Sequence, residues 1–126
     1  MSVKLKYQPV LDLGKEFGII DGYVDEVEGK LKIGGVAHTQ FEKDKIWDAI
    51  KAVGGENPID VVADIKVAET GYYHKHVVKS GESLSKISKK YFKDSMKYMK
   101  IFKANTNILI DPNVIHPGQE LVIPNP

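Results

Sequence analysis

The chain has 126 residues, 42% hydrophobic and 28% charged, enough apolar material for one or two small cored domains. Eighteen Lys and Arg stand against seventeen Asp and Glu, so a net charge of +1 gives no bulk electrostatic reason to expect nucleic acid or a membrane surface as partner. There is no cysteine, which excludes a disulfide framework and a thiolate metal site.

The amino terminus, M-S-V-K-L-K-Y-Q-P-V, lacks the apolar run of a signal peptide, and no later stretch could span a bilayer. A cytoplasmic, monomeric protein is expected. Pro9 suits the first position of a short helix over Val10–Lys15, with Gly14 near its end. Tyr23, Val24 and Val27 on one side and Leu31 and Ile33 on the other flank Glu28-Gly29-Lys30, which reads as a hairpin turn. Gly34-Gly35 is expected to end or bulge the second strand before Val36. From Gln40 to Val53 the pattern is an amphipathic helix. Ile46, Ala49, Ile50 and Val53 form its apolar stripe, with Phe41, Lys45, Asp48 and Ala52 partly exposed. Gly54-Gly55 stops it. After Asn57-Pro58, Ile59 to Val67 alternates as a third strand, and Glu69 to Lys75 reads as a short joint.

From His76 to Pro124 the signals are denser. Val77-Val78 reads as a strand and Ser80-Gly81 as a turn. Ser83 is a helix N-cap, with Lys86 where a capping box would want Glu. Leu84, Ile87, Ser88 and Tyr91 fall on one helical face. Met96, Met99, Ile101, Phe102 and Ala104 suggest a second stripe, up to Asn105. Pro117-Gly118 is a turn, and Leu121-Val122-Ile123 is a strand that Pro124 ends.

The run V-x-S-G-E-S-L-x-x-I-S-x-x-Y, then Y-x-x-I-F-x-A-N, then I-x-P-G-Q-x-L-x-I-P resembles a LysM module. Such modules fold as β-α-α-β, and many bind N-acetylglucosamine-containing glycans in a shallow groove. The resemblance implies a groove here lined by Gly81, Glu82, Ser83, Asn107, Ile108 and Leu109. The earlier part is similar to a BON domain: K-L-K-I-G-G-V-A, then F-E-K-D-K-I-W-D-A-I, then D-V-V-A-D-I-K-V. The fold class implied is α+β, a BON-like domain (α-β-β-α-β) over 1–70 followed by a LysM domain over 71–126.

That pairing, together with P-V-L-D-L-G-K-E-F near the amino terminus, resembles the bacterial potassium-binding protein family. There, one K⁺ is held by backbone carbonyls from the amino-terminal segment and from the loop after the BON helix. Carried over residue by residue, these are the carbonyls of Val10, Leu13, Gly54, Glu56 and Ile59, with Pro58 a departure from the family's flexible loop. The physics suits the ion. A helix end leaves carbonyls without intrahelical partners and carries partial negative charge. Large, weakly hydrated K⁺ fits a cage of neutral carbonyls, whereas Mg²⁺ and Ca²⁺ favour carboxylates or retained water.

His74 and His76 share one strand face but have no evident third ligand for Zn²⁺. The lysine-rich run from Ser88 to Lys100 reads as a solvated helix face. No Ser-His-Asp arrangement, G-x-S-x-G, phosphate loop or paired carboxylates at an apolar locus points to catalysis, so no enzyme is expected. Three functions remain open: a cytoplasmic K⁺ binder whose LysM domain docks on ion capture, a binder of peptidoglycan or chito-oligosaccharide, and a protein–protein adaptor.

Overall fold

The structure is a computed structural model that describes residues 2–126; Met1 lies outside them. Two compact units follow one another, the first ending at Thr70 and the second spanning Gly71–Pro126. Each combines helix and sheet, so the fold is α+β.

In the first unit, Ser2 caps α1 (Val3–Lys6) by accepting the Leu5 N–H at 3.2 Å. Tyr7 separates it from α2 (Gln8–Phe17), whose Pro9 lies in the first turn, where a missing N–H costs nothing. The helix expected over Val10–Lys15 thus extends at both ends, and Gly14 is not its stop. Gly18 is: at φ +66° its N–H donates to Lys15 O (3.1 Å), while Ile19 N–H donates to Gly14 O (3.2 Å). These two bonds are the Schellman closure.

Strands β1 (Ile20–Val27) and β2 (Lys30–Thr39) pair antiparallel around Glu28-Gly29, whose φ values of +53° and +76° match a type I′ hairpin. Gly34-Gly35 does not end β2, although a register irregularity does fall beside it, just before Val36. The strand runs through both glycines, and the irregularity falls opposite, between Ile20 and Tyr23 of β1. Gly34 is there for space. A Cβ on it would lie 2.5 Å from the Tyr23 hydroxyl and 2.6 Å from Asp64 O.

Thr39 caps α3 (Gln40–Gly54) by accepting the Glu42 N–H at 3.4 Å. Phe41 is buried rather than partly exposed. After α3 the chain returns as β3 (Val61–Glu69), parallel to β2, giving the sheet order β1-β2-β3. Alternation holds, with Val61 and Ile65 inward and Val62, Asp64 and Lys66 outward; Ile59, expected in the strand, precedes it and is 87% exposed. Tyr7, Val10, Leu31, Ile33, Ile46, Ile50 and Ile65 pack together as the core.

In the second unit, β4 (His74–Val77) pairs antiparallel with β5 (Glu120–Ile123). Val78 is buried beyond the strand's end. Ser83 caps α4 (Leu84–Phe92), which buries Leu84, Ile87, Ser88 and Tyr91 as its spacing predicts. Met96 and Met99 do not continue a buried stripe. The chain turns through a 3₁₀ segment, Ser95–Lys97, before α5 (Tyr98–Ala104), and the change of period leaves Met96 78% and Met99 37% exposed. Ile101 carries the packing of α5. Behind it, Asn105 is buried, its amide donating to Ile101 O (2.7 Å) and Val122 O (2.8 Å) and accepting from Val122 N–H (2.8 Å).

Candidate functional site

The loop from Gly55 to Asp60 is anchored at both ends, and Tyr7 serves both anchors. At the near end α3 stops on Gly55, whose φ of +86° lies in the region favouring glycine and whose N–H donates to Lys51 O at 2.8 Å. Gly54 is pressed against the Tyr7 side chain, so a Cβ there would collide with the Tyr7 hydroxyl and approach Pro58 Cβ to 2.9 Å. At the far end the same hydroxyl donates to Asp60 Oδ1 (2.5 Å), Lys6 Nζ reaches Asp60 Oδ2 (2.7 Å), and Asp60 O accepts Leu31 N–H (2.8 Å). Burial, then the hydrogen bond and charge of Asp60, push the Tyr7 hydroxyl up to about 12. Hydrogen bonds from Lys6 and Tyr7 outweigh desolvation and hold the Asp60 carboxyl below its usual range.

Of the residues that the potassium-family resemblance marks, Gly54, Glu56 and Ile59 belong to this helix end and loop. Val10 and Leu13 lie inside α2, which leads directly from Tyr7. The Glu56 side chain points to solvent, 3.8 Å from Lys51 Nζ. The Gly54 carbonyl has no i+4 amide to accept, because residue 58 is proline. The carbonyls of Val10 and Leu13 are in the helix interior, where they serve helical amides and keep one further lone pair each. Sequence reasoning missed Tyr7 and Asp60. They are separated by 53 positions, and neither period nor motif links them.

In the second unit, Gly81, Asn107 and Ile108 are exposed, whereas Leu109 is a core residue at 3% exposure. Glu82 faces inward, accepting Lys79 N–H (2.6 Å) and pairing with His76 Nε2 (2.9 Å). The other His76 nitrogen, Nδ1, lies 2.7 Å from the Tyr91 hydroxyl. With neutral His76, Nε2–H donates to the carboxylate and Tyr91 donates to Nδ1. Desolvation raises the Glu82 pKa, but the His76 and Lys79 hydrogen bonds and nearby positive charge bring it below the ordinary value. Burial, reinforced by the Glu82 charge, raises that of Tyr91. Ser83 is occupied by its cap on Lys86 N–H (3.3 Å) and by Ser85 Oγ (3.1 Å), and Lys86 Nζ donates to Gly81 O (3.2 Å). Glu82 and Ser83 thus shape the loop, leaving Gly81, Asn107 and Ile108 as its accessible members. His74 and His76 do share a face, with ring centroids 5.7 Å and 5.4 Å from that of Tyr91.

Among the described residues no helix is long and apolar enough to cross a membrane. Residues 76–124 match the LysM domain family. The chain is 36% identical over 97 residues, 77% of its length, to the potassium binding protein Kbp of Escherichia coli O6:H1. It is 49% identical over 49 residues, 39% of its length, to an uncharacterized protein of Deinococcus radiodurans. It spans 64% of the first relative and 19% of the second. The chain is thus similar to the potassium binding protein Kbp over 77% of its length, and the LysM match falls on its β-α-α-β unit.

Proposed function

We propose that this protein is a cytoplasmic, non-enzymatic potassium-binding protein, monomeric, whose first unit is a BON-like domain. The ion is held by backbone carbonyls of Gly54, Glu56 and Ile59, with Val10 and Leu13 contributing from α2. The observation that carries the reading is the end of α3. A helix carboxyl end opens into a glycine-led loop, its Gly54 carbonyl has no i+4 amide to accept because residue 58 is proline, and the loop is tied through Asp60 and Tyr7 to the neighbouring helix. Ion capture then orders this loop and favours docking of the LysM domain, which requires tighter ion binding to the docked state than to the open one.

The test is thermal unfolding in potassium-free buffer, titrated with KCl and separately with NaCl at matched ionic strength. A ligand that binds only the native state raises Tm as its concentration passes Kd, by about 2.7 kcal/mol of stability at a hundredfold excess. KCl raises Tm and NaCl does not. Equal effects of the two salts would sink the reading. The LysM match at residues 76–124 favours a second reading, glycan binding through Gly81, Asn107 and Ile108, checked by titration with chito-oligosaccharide. A single shallow groove gains nothing from multivalency, so weak binding is expected.

A further inference from the structure

We propose that the cavity between α2 and the β1–β2 hairpin binds a medium-chain fatty acid, carboxylate outward. The cavity measures about 540 Å³, within the range of small-molecule sites. Val10, Ile33, Ile46 and Ile65, all buried, line its floor, and Tyr23 and Val24 of β1 flank it. The charged side chains lining it are Lys4 and Lys15, both cations; no acidic residue joins them. An apolar interior with positive charge alone at its edge is complementary to one anionic head on one hydrocarbon tail. At the roughly 30 Å³ that a water occupies, the space holds about eighteen waters, so a chain of about ten carbons and its head fit with room to adjust.

The lining also contains glycines that the backbone does not require. Gly18 is needed for its left-handed turn and Gly34 for the approach of Tyr23. Gly14 and Gly22 are needed for neither. A Cβ on Gly14 would find its nearest neighbour, Ile19 Cγ1, at 3.8 Å, and one on Gly22 would meet nothing closer than 3.6 Å. Glycine within a helix is otherwise unfavourable compared with alanine. What Gly14 does is keep the cavity open: a side chain of any length there would enter it. The inference stands apart from the potassium reading, since it uses side chains and volume rather than loop carbonyls.

The experiment is calorimetric titration of the full chain with sodium decanoate below its micellar concentration, beside 1-decanol and decyltrimethylammonium. Decanoate binds one to one, and the cationic amphiphile binds at least tenfold more weakly. Gly14→Leu fills the space and abolishes binding while circular dichroism shows an intact fold. Lys4→Glu and Lys15→Glu, at exposed positions that leave the fold unchanged, each weaken decanoate by roughly fivefold. Absence of decanoate binding to the unmodified chain overturns the proposal. So does binding that survives both Gly14→Leu and the two charge reversals, which would place decanoate elsewhere. Decanol binding as tightly as decanoate removes the carboxylate from the proposal, and capture by phosphatidylglycerol vesicles without decanoate binding assigns recognition to a lipid surface instead.

Discussion

Two glycines at the scale of single residues give opposite expectations for the same change. Gly14→Ala adds a methyl to a helix interior with open space beside it and should stabilise by about 0.5–1 kcal/mol. Gly34→Ala places one 2.6 Å from backbone oxygen and against a tyrosine ring, and should cost about 2 kcal/mol. Chemical denaturation of both variants separates backbone freedom from crowding. Asn105 is costlier to lose. Asn105→Ala leaves Val122 N–H, Val122 C=O and Ile101 C=O short of a partner in a buried site, for a loss of about 3 kcal/mol by the same measurement. His74 sets a pH dependence. Burial first, then the charges of His76 and Lys90, depress it from 6.5 to about 4, so the folded state favours the neutral ring. Between those values the unfolded chain binds the extra proton. Stability is therefore fully present above pH 6.5 and falls as pH drops toward 4, by at most about 1.4 kcal/mol per unit. His74→Phe, which retains a ring beside Tyr91, should flatten Tm across that window.

Elements differ in how far local sequence specifies them. The Glu28-Gly29 turn, the Ser83 cap, the Leu84–Tyr91 face and the Gly54-Gly55 stop are each set by neighbours within a few positions, and were legible as such. The true ends of α2 were not. Its stop depends on Gly18 rather than the nearer Gly14, and both are equally plausible glycines until the chain's direction afterwards is known. Gly34-Gly35 was only partly legible for a related reason, because the demand for glycine comes from Tyr23 across the strand and from Asp64 on β3. The candidate loop was found through its glycines and its likeness to a family, whereas its anchor, Tyr7 to Asp60, joins distant segments and leaves no periodic trace. Glu82, marked for the groove by the LysM resemblance, also braces His76, a pairing that no local pattern signals. If the loop holds potassium by its carbonyls, Glu56→Ala should leave the KCl-dependent rise in Tm intact, because no side chain is involved. Tyr7→Phe, which frees Asp60 while keeping the ring, should diminish that rise.

For the whole molecule, the two units have separate cores, one around Tyr7, Leu31 and Ile50 and the other around Leu84, Ile87, Ile101 and Leu121. Gly34 and Asn105 share no partner. Their alanine variants should therefore combine additively within about 0.5 kcal/mol, and a larger coupling in the double variant would reveal communication between the units. The Asn105 amide has one more consequence. By accepting from the N–H and donating to the C=O of Val122, it occupies β5 as a neighbouring strand would, on a single residue. A two-stranded sheet offers an edge to which another chain could add, the first step of strand-by-strand aggregation. Here a side chain already sits where that intruding backbone would bond, so the fold carries its own guard against polymerising through β5.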